Sequence, residues 1–170
     1  MAYIGKKETY AKIIEVISGE KIPVKLRQSN VSSLRYEGKK NQNNVITKVI
    51  PECITMTANT DLNKRTIFQF LTKEQQAIAI KVSEQLFTIC HEIGHMMTLP
   101  GHNYSEIEAE YSLHHNTPMF MDQKQKHYRT IKAEAMADQW ACDWIESHLE
   151  LALALDQQII KMCKFQNALK

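Results

Sequence analysis

The chain has 170 residues, 44% hydrophobic and 24% charged, which is bulk for one domain, 1–170, with its own apolar core. A net charge of +2 with scattered Lys and Arg leaves no basic footprint for nucleic acid or an anionic membrane, and no run approaches the length of an apolar membrane span. A polar amino terminus and four widely spaced cysteines without a Cys-x-x-Cys pair lead to the expectation of a cytoplasmic protein with free thiols.

Tyr10, Ile13, Ile14 and Ile17 recur at helical spacing and Gly19 offers a stop, so a helix is predicted over 6–18. Ile22, Val24 and Leu26 alternate with polar residues and predict a short strand, placed at a sheet edge by Pro23. Two more strands, 31–36 and 45–50, flank a turn-like tract at 37–44 rich in Gly, Lys, Asn and Gln. Another strand, 53–57, follows Pro51. Together these predict a small antiparallel sheet ahead of the helices. Residues 59–65 read as a turn, and 66–71 as one more strand or the approach to a helix. Thr72 with Gln75 forms a capping-box pattern, which predicts one helix over 73–98, stopped by Pro100-Gly101.

That helix carries His91-Glu92-Ile93-Gly94-His95. Side chains four apart on a helix are offset by about 40°, so both imidazoles project from one face and can share a metal ion. Glu92 lies between them, where it can take a proton from water activated by that ion, the layout of a zinc hydrolase. A random shuffle of this composition would contain the pattern only about 2% of the time. Ile78, Val82, Leu86, Ile89, Ile93 and Met96 supply the apolar stripe of a buried helix. Cys90, about 100° round the helix from His91, reads as packing.

Residues 102–127 are irregular in pattern, with a short helix at 105–113, a break at Thr117-Pro118, and four more histidines. A long helix is predicted from near Tyr128, with Ile131, Ala135, Met136, Trp140, Trp144, Ile145 and Leu149 along it. A last helix is predicted over 151–168.

Two histidines leave a zinc ion under-coordinated, since catalytic sites take three protein ligands. A metzincin-like continuation fails, because Thr98 and Gly101 occupy its glycine and histidine positions. His102, one residue late, is one candidate for the third ligand. Glu134 is the other: it shares a helix face with Ala137, Asp138 and Ala141, and a face lined by alanines lets the motif helix pack closely. Asp138 could then accept a hydrogen bond from a ligand histidine and orient its ring.

With His91-Glu92-Ile93-Gly94-His95 followed by Glu134-Ala135-Met136-Ala137-Asp138-Gln139-Trp140-Ala141, the chain resembles the gluzincin pattern. More closely, it resembles the ImmA/IrrE family of small intracellular metallopeptidases, whose second motif is Glu-x-x-Ala-(Asn/Asp)-x-aromatic-Ala. The resemblance implies an α+β fold with a helical zincin-like core, in which the active-site helix packs on a second, ligand-bearing helix. It implies one Zn²⁺ held by His91, His95 and Glu134, with Glu92 catalytic and Asp138 supporting. It also implies a protein substrate, typically a DNA-binding repressor in a mobile element or stress response. The spacer 96–133 is longer than the family pattern and reads as a lid or substrate-recognition insertion.

The expected function is therefore zinc-dependent endopeptidase, with a donor from among Tyr104, Tyr111, His114, His115, His127 and Tyr128 for the tetrahedral oxyanion. The competing readings are a metal-binding regulatory module that does not cleave, and an interaction protein assembling through its carboxy-terminal helices.

Overall fold

A computed structural model describes residues 2–28, 32–58 and 66–167, with side chains from 6 to 164 within those spans. The predicted turn at 59–65 lies outside the described residues.

Helix α1 (Ala2–Ser18) buries Tyr10, Ile13, Ile14 and Ile17 along one face. It ends where Gly19 takes φ +73°, a conformation that only a residue without Cβ adopts freely. Strands β1 (Val24–Arg27), β2 (Ser33–Lys40) and β3 (Ile46–Thr57) form a sheet in the order β1-β3-β2. The sheet is mixed, which corrects the antiparallel expectation: β2 pairs antiparallel with β3, while β1 runs parallel to it. Because β1 docks on the far side of β3, the chain reverses into β2 and again into β3, leaving β1 and β3 co-directional.

The turn between β2 and β3 is tighter than its composition suggests. Asn41 Oδ1 accepts from the Asn43 and Val45 amides, and Asn44 takes φ 59°, so the loop shrinks to 41–44 and residues 37–40 extend β2. The predicted strands 45–50 and 53–57 are one strand. Tyr36 pairs with Pro51 but Arg35 with Cys53, so Glu52 is an extra residue that bends β3 without ending it. Pro51 is tolerated because β1 pairs only with the later half, from Ile54 onward.

Residues 66–71 hold a 3₁₀ turn, Phe68–Phe70, rather than a strand. The predicted helix 73–98 is two helices, α2 (Lys73–Ala79) and α3 (Glu84–Thr98). Thr72 and Gln75 form the expected capping box. Ser83 then leaves helical geometry and caps α3 through the Leu86 amide. Asp156, from the last helix, accepts hydrogen bonds from both the Ser83 amide and the Ser83 hydroxyl. The apolar stripe runs straight across this break, so periodicity alone does not reveal it.

The short helix expected at 105–113 is present and longer, as α4 (Tyr104–Asn116), capped by Asn103, and a second helix, α5 (Met121–Tyr128), occupies the stretch read as irregular. Helix α5 buries no residue, so it has no apolar periodicity to read. Helix α6 (Lys132–Ser147) begins four residues later than predicted, after a turn in which the Thr130 amide donates to the His127 carbonyl. Helix α7 (Leu149–Asn167) follows. The buried apolar side chains form one cluster that joins α1, the sheet, α3, α6 and α7. Among the described residues no helix is long and apolar enough to cross a membrane.

Candidate metal centre

Close contact between α3 and α6 creates the site. Ala133, Ala137 and Ala141 are almost wholly buried on one face of α6, and Gly94 of α3 lies directly opposite. A Cβ built on Gly94 would fall 2.7 Å from the Ala137 carbonyl oxygen and 3.0 Å from its Cα. The missing side chain is therefore what lets the backbones approach. With the helices this close, Glu134, one turn before Ala137, is brought level with His91 and His95, which flank Gly94.

The ligand atoms of His91, His95 and Glu134 all lie within 4.8 Å of one another, and all three residues are buried. His91 Nε2 is 3.1 Å from His95 Nε2 and 3.1 Å from Glu134 Oε2, and His95 Nε2 is 3.5 Å from Glu134 Oε1. On the other edge of its ring, His91 Nδ1 lies 2.8 Å from Asp138 Oδ1. An ionised carboxylate only accepts, so the neutral His91 ring carries its proton on Nδ1 and presents a lone pair at Nε2. That lone pair faces another imidazole nitrogen and a carboxylate oxygen, Glu134 Oε2, which is buried without a hydrogen-bond partner. With both rings neutral, at most one proton, on His95 Nε2, serves these converging electron-rich atoms, an arrangement that a cation satisfies. The residues fit a metal ion.

The surroundings stiffen that set. Arg129 Nη1 donates to Asp138 Oδ1 at 2.7 Å, giving a chain from half-buried Arg129 through buried Asp138 to His91. Tyr111 of α4 and Tyr128 of α5 both donate to Glu134 Oε1, at 2.5 and 2.7 Å. Glu92 is buried, and its Oε2 accepts the Leu34 amide of β2 at 2.7 Å.

Charge states follow from these contacts. For His91, burial opposes protonation, but the hydrogen bonds that the charged ring donates to Asp138 and Glu134 outweigh it and push the imidazole up to about 10. A proton satisfies the same demand for positive charge that a metal would. For Glu134, burial favours the neutral acid, but His91 and His95 override it and hold the carboxyl well below the usual range. Burial raises Glu92, with His91 and His95 pulling the other way. Burial and the adjacent Glu134 charge push both tyrosines upward, which keeps them as O–H donors.

Two clefts meet at this centre. One, of about 270 Å³, is lined by Ser33, Leu34, Tyr36, Tyr111, Tyr128 and the metal-binding set. The other, of about 390 Å³, reaches His91 and Glu92 from the side of Phe87, His114, Lys124 and Arg129. The first faces β2, an edge strand of the sheet, and the second borders Met56 and Thr57 of β3.

His91, Glu92, His95, Glu134 and Asp138 are thus brought together, and His102 is not among them. Its backbone is engaged between the Leu99 carbonyl and the Ile46 amide at the end of the sheet. Of the six candidate oxyanion donors, only Tyr111 and Tyr128 bond to the ligand carboxylate. Tyr104 turns to Glu108, His114 pairs with His127, and His115 is exposed. Sequence reasoning missed Arg129 and the Leu34 amide. No spacing signal marks either one, because one lies in a turn between helices and the other is a backbone group on a distant strand. No protein-family model, curated protein or solved structure matches the chain.

Proposed function

We propose that this protein is a zinc-dependent endopeptidase of the ImmA/IrrE type that cuts a protein substrate, with a DNA-binding repressor as the leading class. The observation that carries the reading is Glu92. Its carboxylate lies buried beside the metal-binding set, lines both clefts and is raised toward a pKa useful for proton transfer. A site built only to hold metal has no need of it. The edge of β2 supports a peptide substrate, since extended backbone can pair along an open strand edge while lying across the centre.

Zinc held by His91, His95 and Glu134 would supply Lewis acidity, polarising a peptide carbonyl and acidifying water. Glu92 accepts the proton from the attacking water and passes it to the leaving amine nitrogen. The Leu34 amide fixes Oε2 during this exchange, so that Oε1 takes the proton. Asp138, backed by Arg129, keeps the His91 proton on Nδ1 and its lone pair on Nε2. Tyr111 and Tyr128, whose hydroxyls donate to Glu134 and line the smaller cleft, would serve the negative charge that develops on the substrate carbonyl oxygen.

The test is cleavage of candidate repressors by tag-free protein, followed by mass spectrometry, beside metal analysis of the same samples. Wild type should cut at a defined bond, and Glu92→Gln should keep one zinc per chain yet lose cleavage. Cleavage that survives either Glu92→Gln or metal removal would sink the reading. Metal bound with every substrate left intact would favour the regulatory module.

A further inference from the structure

Outside the centre, the fold brings together a second pair of imidazoles that the proposed reaction does not use. His114 lies in the last turn of α4 and His127 in the last turn of α5. The hairpin formed by these helices sets His114 Nδ1 2.9 Å from His127 Nδ1. The rings are parallel within 9° with centroids 5.2 Å apart. At that centroid distance, with the nitrogens this close, the rings meet edge to edge in a shared plane. The two Nδ1 atoms therefore aim at each other with one proton between them. His91 and His95 bring their Nε2 atoms to a comparable 3.1 Å, with their rings crossed at 81°.

We propose that His114 and His127 form a second, weaker site for a borderline transition-metal ion of the zinc class, which replaces the shared proton and joins α4 to α5. Two imidazoles on a tetrahedral ion stand about 3.3 Å apart at ordinary Zn–N lengths, so the nitrogens part by a few tenths of an ångström and each ring swings to turn its lone pair toward an ion beside the line that joins them. His114 is 4% exposed but lines the larger cleft together with Lys124 and Gln125, which gives an ion a route in and room for water to complete its coordination. Burial, followed by the neighbouring His127, Lys124 and His115 charges, lowers the pKa of His114, which leaves its lone pair available at neutral pH.

No third His, Cys, Asp or Glu among the described residues completes a set with the pair, and Lys124 opposes added positive charge. Affinity should therefore fall about two orders of magnitude or more below that of the first site, where a carboxylate contributes. The consequence is mechanical. Tyr111 on α4 and Tyr128, next to His127, both hold Glu134, so an ion joining the two helices fixes the hairpin that carries these donors.

Metal-stripped, tag-free protein titrated calorimetrically with Zn²⁺ tests the site without any substrate. Wild type should show two classes, one tight and one weak, each of one ion. His114→Gln and His127→Gln should each lose the weak class and keep the tight one, which also reports that the variant is folded. His91→Gln should lose the tight class alone, and His115→Gln should keep both. A single class in wild type overturns the proposal. So does a weak class that survives both His114→Gln and His127→Gln, or one that disappears with exposed His115.

Discussion

Replacing Gly94 by alanine sets two effects of known size against each other. Alanine is the better helix former by about 1 kcal/mol in a helix interior, so an isolated α3 would gain stability. In the folded protein the new methyl would lie 2.7 Å from the Ala137 carbonyl oxygen, about 0.7 Å inside ordinary contact at 3.4 Å, with Ala137 Cα at 3.0 Å. The obstructing atoms are backbone of a 16-residue helix, so no side-chain tip can swing aside. Overpacking of this kind costs about 1–3 kcal/mol, and the rigidity of the obstacle argues for the upper half of that range. Gly94→Ala should therefore lose about 1–2 kcal/mol net.

The same displacement moves Glu134 away from His91 and His95. Metal affinity should then fall about tenfold or more, the scale seen when outer partners of a metal site are lost. Urea unfolding in the presence of a chelator measures the first quantity, and zinc competition against a chromophoric chelator measures the second. A variant as stable as wild type with undiminished affinity would refute the claim that close helix approach at Gly94 builds the site.

Three further outcomes follow from the surrounding charges. Asp138→Asn should weaken zinc binding about 10–100-fold, because the amide no longer fixes the His91 tautomer. Arg129→Gln should cost about 1–3 kcal/mol in urea unfolding, because buried Asp138 loses a charged hydrogen-bond donor and keeps only His91; an unchanged midpoint would rule out that pairing. In metal-free protein, His91 titrates near 10 against an ordinary value of 6.5. A raised folded pKa gives stability that is fully present below about 6.5 and lost as pH climbs through about 10. Chelator-treated protein should unfold progressively more easily across that window, and zinc uptake at pH 8 should release a proton, read as a buffer-dependent heat. Stability that is flat or rising over the same range would show that His91 is not held protonated.

Much of the fold was legible wherever apolar residues repeat with one period and one burial face. Helix α1 was readable because Tyr10, Ile13, Ile14 and Ile17 all face the core, and the α2 capping box because Thr72 and Gln75 are three residues apart. Helix α5 was not, since a helix that buries nothing carries no periodic mark. The break before α3 was also hidden, because Asp156, which holds Ser83, is 73 residues away. Strand direction escaped for a similar reason: alternation shows that β1 is a strand but not which side of β3 it joins.

At the centre the division is sharper. His91, Glu92 and His95 could be read from the sequence alone, because one helical turn dictates their geometry whatever surrounds it. Glu134 and Asp138 were nominated by their shared helix face, with His102 still in contention. Only the tertiary structure chose between them, through the contact of Gly94 with Ala137 that brings Glu134 level with the histidines. It also supplied Arg129, Tyr111, Tyr128 and the Leu34 amide around them. Local spacing specifies relations within one element. Relations between elements depend on backbone approach and on partners drawn from distant parts of the chain, and those exist only once it has folded.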